Sequence, residues 1–253
     1  MSWRLDCHIH SCLSPCGELT GSPRALAEAA RAADLDALAL TDHNSGANLP
    51  ALAAAAAEAG LWFLPGIEIT TVEEAHLLAY FPTLERAARF AADLYGNAPP
   101  QPYDPERQGD QPEVNLAGEI LRFEPRYLGQ AVPRGVDELV ADLHALGALA
   151  VPAHVDRPHF SLPAQLGFLP DLPFDAVEVS WRTPDPQVPR WAGKYPVLCG
   201  SDAHAPEQVG RAWTELPGPD GPSWQALVRA LRQGATRRVS RNLNLDSADP
   251  NLT

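Results

Sequence analysis

Asp36-Ala37-Leu38-Ala39-Leu40-Thr41-Asp42-His43-Asn44 is the stretch on which the fold reading turns. Its apolar run reads as a buried strand, and the strand ends on residue types that bind metal or turn a chain. An alanine-rich helical stretch follows at 48–59, stopped by Gly60. The same unit recurs on both sides. Residues 3–9 read as a strand carrying Asp6-Cys7-His8-Ile9-His10. Ser22-Pro23 then supplies an N-cap and a first-turn proline for a helix. A third strand at 61–69 holds Gly66-Ile67-Glu68, with Pro65 and Gly66 disturbing its middle. A fourth, at 76–81, opens on His76, and 83–94 is helical.

Beyond 135 the pattern returns: a helix at 136–146, a strand at 148–152 ending near His154, strands at 176–180 and 197–199, and then Gly200-Ser201-Asp202-Ala203-His204. Residues 211–216 read as an exposed strand and 223–232 as a helix. Alternating strands and helices predict an α/β fold with a parallel sheet, open or closed. The candidate ligands mostly sit at the C-terminal ends of strands, where barrel active sites collect. Between 96 and 135 the texture changes, with Pro99, Pro100, Pro102, Pro105, Pro112, Pro125 and Pro133. That stretch reads as a lid-like excursion or a surface loop, with one helical turn at 119–122. One domain is expected over 1–240, with a poorly ordered tail at 241–253.

The chain has 253 residues and a net charge of −13. Such a surface argues against a broad duplex nucleic-acid groove, which needs a basic stripe. Small anionic substrates stay open, because bound divalent ions invert the local field. Cys7, Cys12, Cys16 and Cys199 suit ligands or a reducing cytoplasm better than a disulfide framework. No leader and no membrane-length apolar run stand out, so neither secretion nor a membrane partner is expected.

The chemistry follows from residue types. On an extended chain Asp6, His8 and His10 share a face. Glu68 among isoleucines is costly unless it is paired or metal-bound, and its two oxygens suit it to bridge ions. Asp42 suits an imidazole-orienting role or a turn. Arg157 is the candidate for gripping a phosphate. His144 reads as structural and His159 as loop surface. Imidazole and carboxylate together suit manganese, zinc or iron.

In this order the motifs Asp-x-His-x-His at 6–10, Thr-Asp-His-Asn at 41–44, Gly-Ile-Glu at 66–68, His76, His154 and Gly-Ser-Asp-Ala-His at 200–204 resemble the PHP (polymerase and histidinol phosphatase) family. The resemblance spans residue 3 to about 215. It implies a distorted (β/α)7 barrel with two or three divalent ions at the C-terminal ends of the strands. By that analogy His8, His10, Glu68 and Asp202 hold one ion; Glu68, His76 and His154 hold a second; His43 and His204 hold a third. Many members complete the third site with a histidine or acid five or six residues after His-x-His. Here Pro15 and Cys16 stand there, so Cys16 or Glu18 is the candidate.

The implied activity is hydrolysis of a small phosphomonoester, a nucleotide or a sugar or amino-alcohol phosphate, by metal-activated hydroxide. Asp202, His204 and Arg157 are the catalytic candidates. The alternatives are an exonuclease on short nucleic-acid ends, an amidohydrolase-type hydrolase, or a non-catalytic metal-binding domain. Many amidohydrolases bridge their ions with a carboxylated lysine. The single lysine, Lys194, stands too late in the chain for that role.

Overall fold

The computed structural model describes residues 2–96, 98–101, 103–218 and 221–241; the expected tail lies, from 242 on, outside the described residues. The first half runs β1 (Ser2–Asp6), α1 (Pro23–Ala32), β2 (Ala37–Leu40), α2 (Leu49–Glu58), β3 (Trp62–Thr70), β4 (His76–Tyr80) and α3 (Leu84–Asp93). The excursion holds α4 (Pro105–Gln108), β5 (Pro112–Val114) and β6 (Ile120–Phe123). The rest is α5 (Val136–Ala145), β7 (Leu149–Pro152), α6 (Leu162–Leu166), β8 (Val177–Glu178), α7 (Val188–Ala192), β9 (Val197–Leu198), β10 (Ala212–Pro217), α8 (Trp224–Arg232) and β11 (Arg237–Ser240).

Seven strands form one curled sheet in the order β11-β10-β1-β2-β3-β4-β7, with β8 and β9 paired separately. The sheet is mixed rather than wholly parallel: β1-β2-β3 and β8-β9 are parallel, whereas β3-β4, β4-β7 and β1-β10 are antiparallel. The cause is local. No helix separates β3 from β4; a tight turn closed by Thr71 N–H to Ala75 O reverses the chain, and a short turn permits only antiparallel pairing.

Backbone bonds complete the barrel. Asp175 N–H to Ala150 O and Val155 N–H to Glu178 O join β7 to β8. Past β9, residues 200–204 run beside the end of β1, with His10 N–H to Ala203 O at 2.8 Å and a parallel bridge between Ile9 and Ala203. Seven strands (β1, β2, β3, β4, β7, β8, β9) thus surround the centre, and the hairpin β10-β11 is an addition. Gly200 permits this closure: a Cβ there would stand 2.7 Å from the His8 nitrogen and Cβ. Asp6 fastens it, accepting from Ser201 N–H and Gly210 N–H, both at 2.9 Å.

Two apolar layers hold the sheet. Leu38, Leu40, Ile67, Ile69 and Leu77 pack outward on the buried faces of α1, α2, α3 and α5. Leu5, Ala37, Ala39, Leu64, Leu78, Tyr80 and Val151 fill the interior, which α8 meets with Leu227, Ala230 and Leu231. The strand alternation explains why neighbouring residues enter different layers. Ser22 accepts from Ala25 N–H at 3.3 Å and caps α1, a contact worth about 1 kcal/mol.

Two local expectations change. Pro65 and Gly66 do not interrupt β3, since Pro65 lies opposite Leu40 on the last rung of the β2-β3 ladder. Gly66 lets β2 approach, as its Cβ would lie 2.9 Å from Leu40 O. The helical turn expected at 119–122 is instead strand β6, paired with β5; the excursion's helical turn is α4. Ile120 and Phe123 are β-formers whose pairing with β5 outweighs any local helical preference. The excursion is anchored to the barrel: the Asn44 side chain donates to Leu128 O and Gln130 O, and Asn48 Oδ1 accepts from Val114 N–H.

Candidate metal centre

Six imidazoles and two carboxylates converge above the C-terminal ends of the strands. His8 and His10 follow β1, His43 follows β2, Glu68 stands late in β3, His76 opens antiparallel β4 and His154 follows β7. Asp202 and His204 follow β9. Asn44, His154 and Asp202 carry positive φ (48°, 29° and 50°), so each strand exit bends sharply toward the centre. Such backbone strain gathers at functional sites.

Glu68 is the hub. Its Oε1 lies 3.0 Å from His76 Nδ1, 3.3 Å from His154 Nε2 and 3.4 Å from His8 Nε2. Its Oε2 lies 3.2 Å from His10 Nε2 and 3.4 Å from His43 Nδ1. Oε1 nevertheless makes no hydrogen bond, and neither do the buried Nδ1 atoms of His43, His76 and His154. Asp202 Oδ1 lies 3.2 Å from His8 Nε2 and 3.3 Å from His10 Nε2; its Oδ2 accepts from Arg157 Nη2 at 2.6 Å. Buried lone pairs that face one another without donors between them are costly unless a cation lies among them. The donor set therefore fits divalent metal.

Three compact groups of possible ligands stand out among the described residues: His8, His10 and Glu68; His43, Glu68 and His76; and His10, Cys16 and His204. His43 thus stands beside Glu68 and His76 as well as in the ring of imidazoles, whereas the family analogy pairs it with His204. Cys16 rather than Glu18 joins His10 and His204; the Glu18 side chain accepts from Thr20.

The surroundings set tautomers. Glu178 accepts from His8 Nδ1 at 3.0 Å, leaving Nε2 toward Glu68 and Asp202. His204 Nδ1 donates to the Asp202 carbonyl at 2.8 Å, which frees its Nε2. His10 Nδ1 donates to Ser14 Oγ, and Ser14 Oγ donates to Asp42 at 2.7 Å. Asp42 also accepts from the Ser11 amide and hydroxyl, so it orients His10 through a serine rather than by contact. Such outer partners fix ligand geometry.

Charges follow the geometry. Burial works against ionised Glu68, but His76, His8 and His43 outweigh it and hold its pKa well below the usual range. Asp202 behaves alike: burial raises it, and His8 and Arg157 bring it well below. Burial depresses His8 and His10, yet their carboxylate neighbours win; His8 is raised well above its ordinary value and His10 to about 9. Burial lowers His43, His154 and His204, so those rings are neutral at pH 7. Cys16 is an exposed residue, yet the cluster crowding its thiol desolvates it and, with Glu68, Asp202 and Asp42, raises it well above its ordinary value.

The motif readings omitted Glu178, which is 2% exposed and also accepts from His154 N–H at 2.9 Å. The available cue was an acid inside the apolar run Ala176-Val177-Glu178-Val179, the cue that singled out Glu68. His144 pairs with Asp175 at 2.9 Å outside the cluster, and His159 is exposed. All four cysteines are free. Lys194 is exposed, pairs with Asp171 and lines a groove away from the cluster.

Residues 6–117 match the PHP domain and residues 190–236 match the PHP-associated region that accompanies it. No protein of curated function is similar in sequence. Among solved structures, the chain resembles endonuclease Q in complex with a duplex carrying an abasic lesion (TM-score 0.67, 19% identity), covering 92% of this chain and 57% of that one. The chain therefore spans little more than half of that enzyme. It also resembles a candidate metal-dependent phosphoesterase from Bifidobacterium adolescentis (TM-score 0.59, 22% identity, 91% and 96% covered). A third likeness is an amidohydrolase from Chromobacterium violaceum with bound sulfate (TM-score 0.57, 22% identity, 92% and 97% covered). At these identities the likenesses establish the fold.

Proposed function

The chain belongs to the PHP family of metal-dependent hydrolases, and on that premise we propose that it hydrolyses small phosphomonoesters, a nucleotide or a sugar or amino-alcohol phosphate, with two or three manganese, zinc or iron ions. The observation that carries this reading is Glu68, whose two oxygens face five ring nitrogens without a hydrogen bond at Oε1. His8, His10, Glu68 and Asp202 would hold one ion. Glu68 and His76, with His154 and His43, would hold a second; His10, Cys16 and His204 would hold a third. When bound, such ions acidify a water toward neutrality and neutralise phosphoryl oxygens.

The chain's own groups do the rest. Arg157 keeps one donor on Asp202, and its side chain is a third exposed, so its remaining N–H groups can meet a phosphoryl oxygen. Asp202 stays ionised at neutral pH, which suits a ligand and an anchor for Arg157 better than an acid. His204 is neutral, so it must take up a proton before it delivers one to the leaving oxygen. The sulfate held by the Chromobacterium protein supports an oxyanion site on this fold. The free thiols support a cytoplasmic setting, and among the described residues no helix is long and apolar enough to cross a membrane.

The test couples elemental analysis to a phosphatase panel in wild type, Glu68→Ala and Asp202→Ala. Loss of bound metal and of turnover in both variants is expected; full activity in both would overturn the reading. A second reading, hydrolysis of nucleic-acid ends, draws on the likeness to endonuclease Q. The charge of −13 weighs against it. Single-stranded oligonucleotides in the same panel separate the two.

A further inference from the structure

We propose that Phe160 is a stacking platform that selects phosphate esters whose leaving group carries a flat aromatic ring. This inference rests on the phosphoesterase reading above. Phe160 is a large apolar side chain that is 49% exposed at the edge of the cluster. Its ring lies parallel to that of His76, with centroids 4.8 Å apart and planes 11° apart. His76 itself stands 3.0 Å from the Glu68 hub. One face of the phenyl ring is therefore set by a candidate ligand, and the ring is still half open to solvent at the mouth of the site.

The loop is built to hold it there. Phe160 has φ of +55°, a backbone conformation that bulky residues rarely adopt, so the position is imposed by its surroundings. The surroundings are visible: Phe160 O accepts from His76 N–H at 2.8 Å, and the next residue, Ser161, donates from Oγ to Arg157 O at 2.7 Å. Ser161 Oγ also accepts from Ala164 N–H and caps α6. Arg157 N–H bonds to His154 O. A single short loop thus carries a candidate ligand (His154), the cation for an oxyanion (Arg157) and an aromatic surface (Phe160), all locked together.

A substrate that places its phosphate by Arg157 would meet Phe160 with the group next to the phosphate. An apolar ring exposed beside so polar a cluster contributes less to a sugar phosphate, which offers no flat ring to stack. Against a nucleobase or an aryl group it contributes stacking, which is worth about tenfold or more in affinity per ring. The shared chemistry is the flat ring; its source is either a base separated from the phosphate by ribose or a ring directly on the ester oxygen.

The experiment measures kcat and KM of the metal-loaded protein on a nucleoside 5′-monophosphate, ribose 5-phosphate and phenyl phosphate, in wild type, Phe160→Ala and Phe160→Trp. Wild type should favour at least one aromatic ester over ribose 5-phosphate by roughly tenfold in kcat/KM. Phe160→Ala should raise KM for the aromatic ester roughly tenfold more than KM for ribose 5-phosphate, so that the preference disappears, and Phe160→Trp should restore the ratio. Which aromatic ester responds identifies the source. Equal losses on all three esters would reduce Phe160 to a support for His76 and overturn the proposal, as would a wild type without preference. Should no phosphate ester turn over, calorimetric binding of a nucleoside 5′-phosphorothioate and of ribose 5-phosphate by the same variants decides it. An unchanged ratio in Phe160→Ala ends the stacking idea, whatever becomes of the hydrolytic one.

Discussion

β8 carries a carboxylate near each of its ends, and each carboxylate holds a histidine. At the C-terminal end, Glu178 bonds His8 Nδ1 at 3.0 Å with side chains 3% and 0% exposed. Before the N-terminal end, Asp175 bonds His144 Nε2 at 2.9 Å with side chains 28% and 34% exposed. The length of the bond scarcely differs; the company does. His8 faces Glu68, Asp202 and His10 across buried space, whereas His144 and Asp175 border an open groove of about 1280 Å³ with Lys194, Tyr195 and Arg232. That groove therefore lies away from the chemistry. A histidine–carboxylate pair becomes a metal-site element through burial and converging lone pairs rather than through its own geometry.

The sharpest break in that contrast comes at the hub. Glu68→Ala should lower kcat/KM by on the order of a thousandfold or more and strip metal measured by mass spectrometry, because it removes the carboxylate common to two ligand groups. Next comes the paired comparison. Glu178→Gln should weaken metal affinity by roughly 10–100-fold, read by competition with a chelator, with kcat near wild type once metal saturates. Asp175→Asn should leave metal content and kcat unchanged and cost at most about 1 kcal/mol in denaturant unfolding, as a partly exposed pair does. Equal effects from the two substitutions would erase the distinction.

A smaller effect lies in the protons. His8 and His10 carry theirs at pH 7 in the metal-free protein, and Cys16 keeps its thiol hydrogen. For the two imidazoles, whose pKa is raised on folding, the stability they contribute is fully present below 6.5 and is lost as pH rises through about 9 for His10. Metal competes with those protons, so its affinity rises over the same interval. Loading metal at pH 7 in weak buffer should release about one proton per chain fewer from Cys16→Ser than from wild type. The least change to function and the plainest signature come from cobalt substitution. Wild type should show a near-ultraviolet thiolate-to-cobalt band that Cys16→Ser lacks, and an unchanged spectrum would remove sulfur from the third group.

Much of this was legible in the residues. The apolar runs ending at 41–43, 153–154 and 199–204 give both the strands and the ends that bear ligands, because burial and metal chemistry each leave a local mark. The helix starts at Ser22 and Thr83 are equally local, and both caps form. What the sequence conceals is long-range. The reversal at 71–75 that makes β4 antiparallel is a short turn, indistinguishable by composition from a loop before a helix. The excursion's strand at Ile120–Phe123 exists only because Pro112–Val114 lies beside it. Glu178 belongs to the site through contacts with His8, 170 positions away, and His154; no motif spans them. Ser14 likewise acquires its role only when Asp42 arrives beneath it.

The seam fastened by Asp6 has a consequence for biosynthesis. The two residues joined there, Asp6 and Ser201, are 195 positions apart. An emerging polypeptide therefore exposes its first histidines long before their far partners leave the ribosome. Cation capture at full strength must wait until both ends of that seam have emerged, and a chain released before then would hold ions loosely or exchange them with its surroundings.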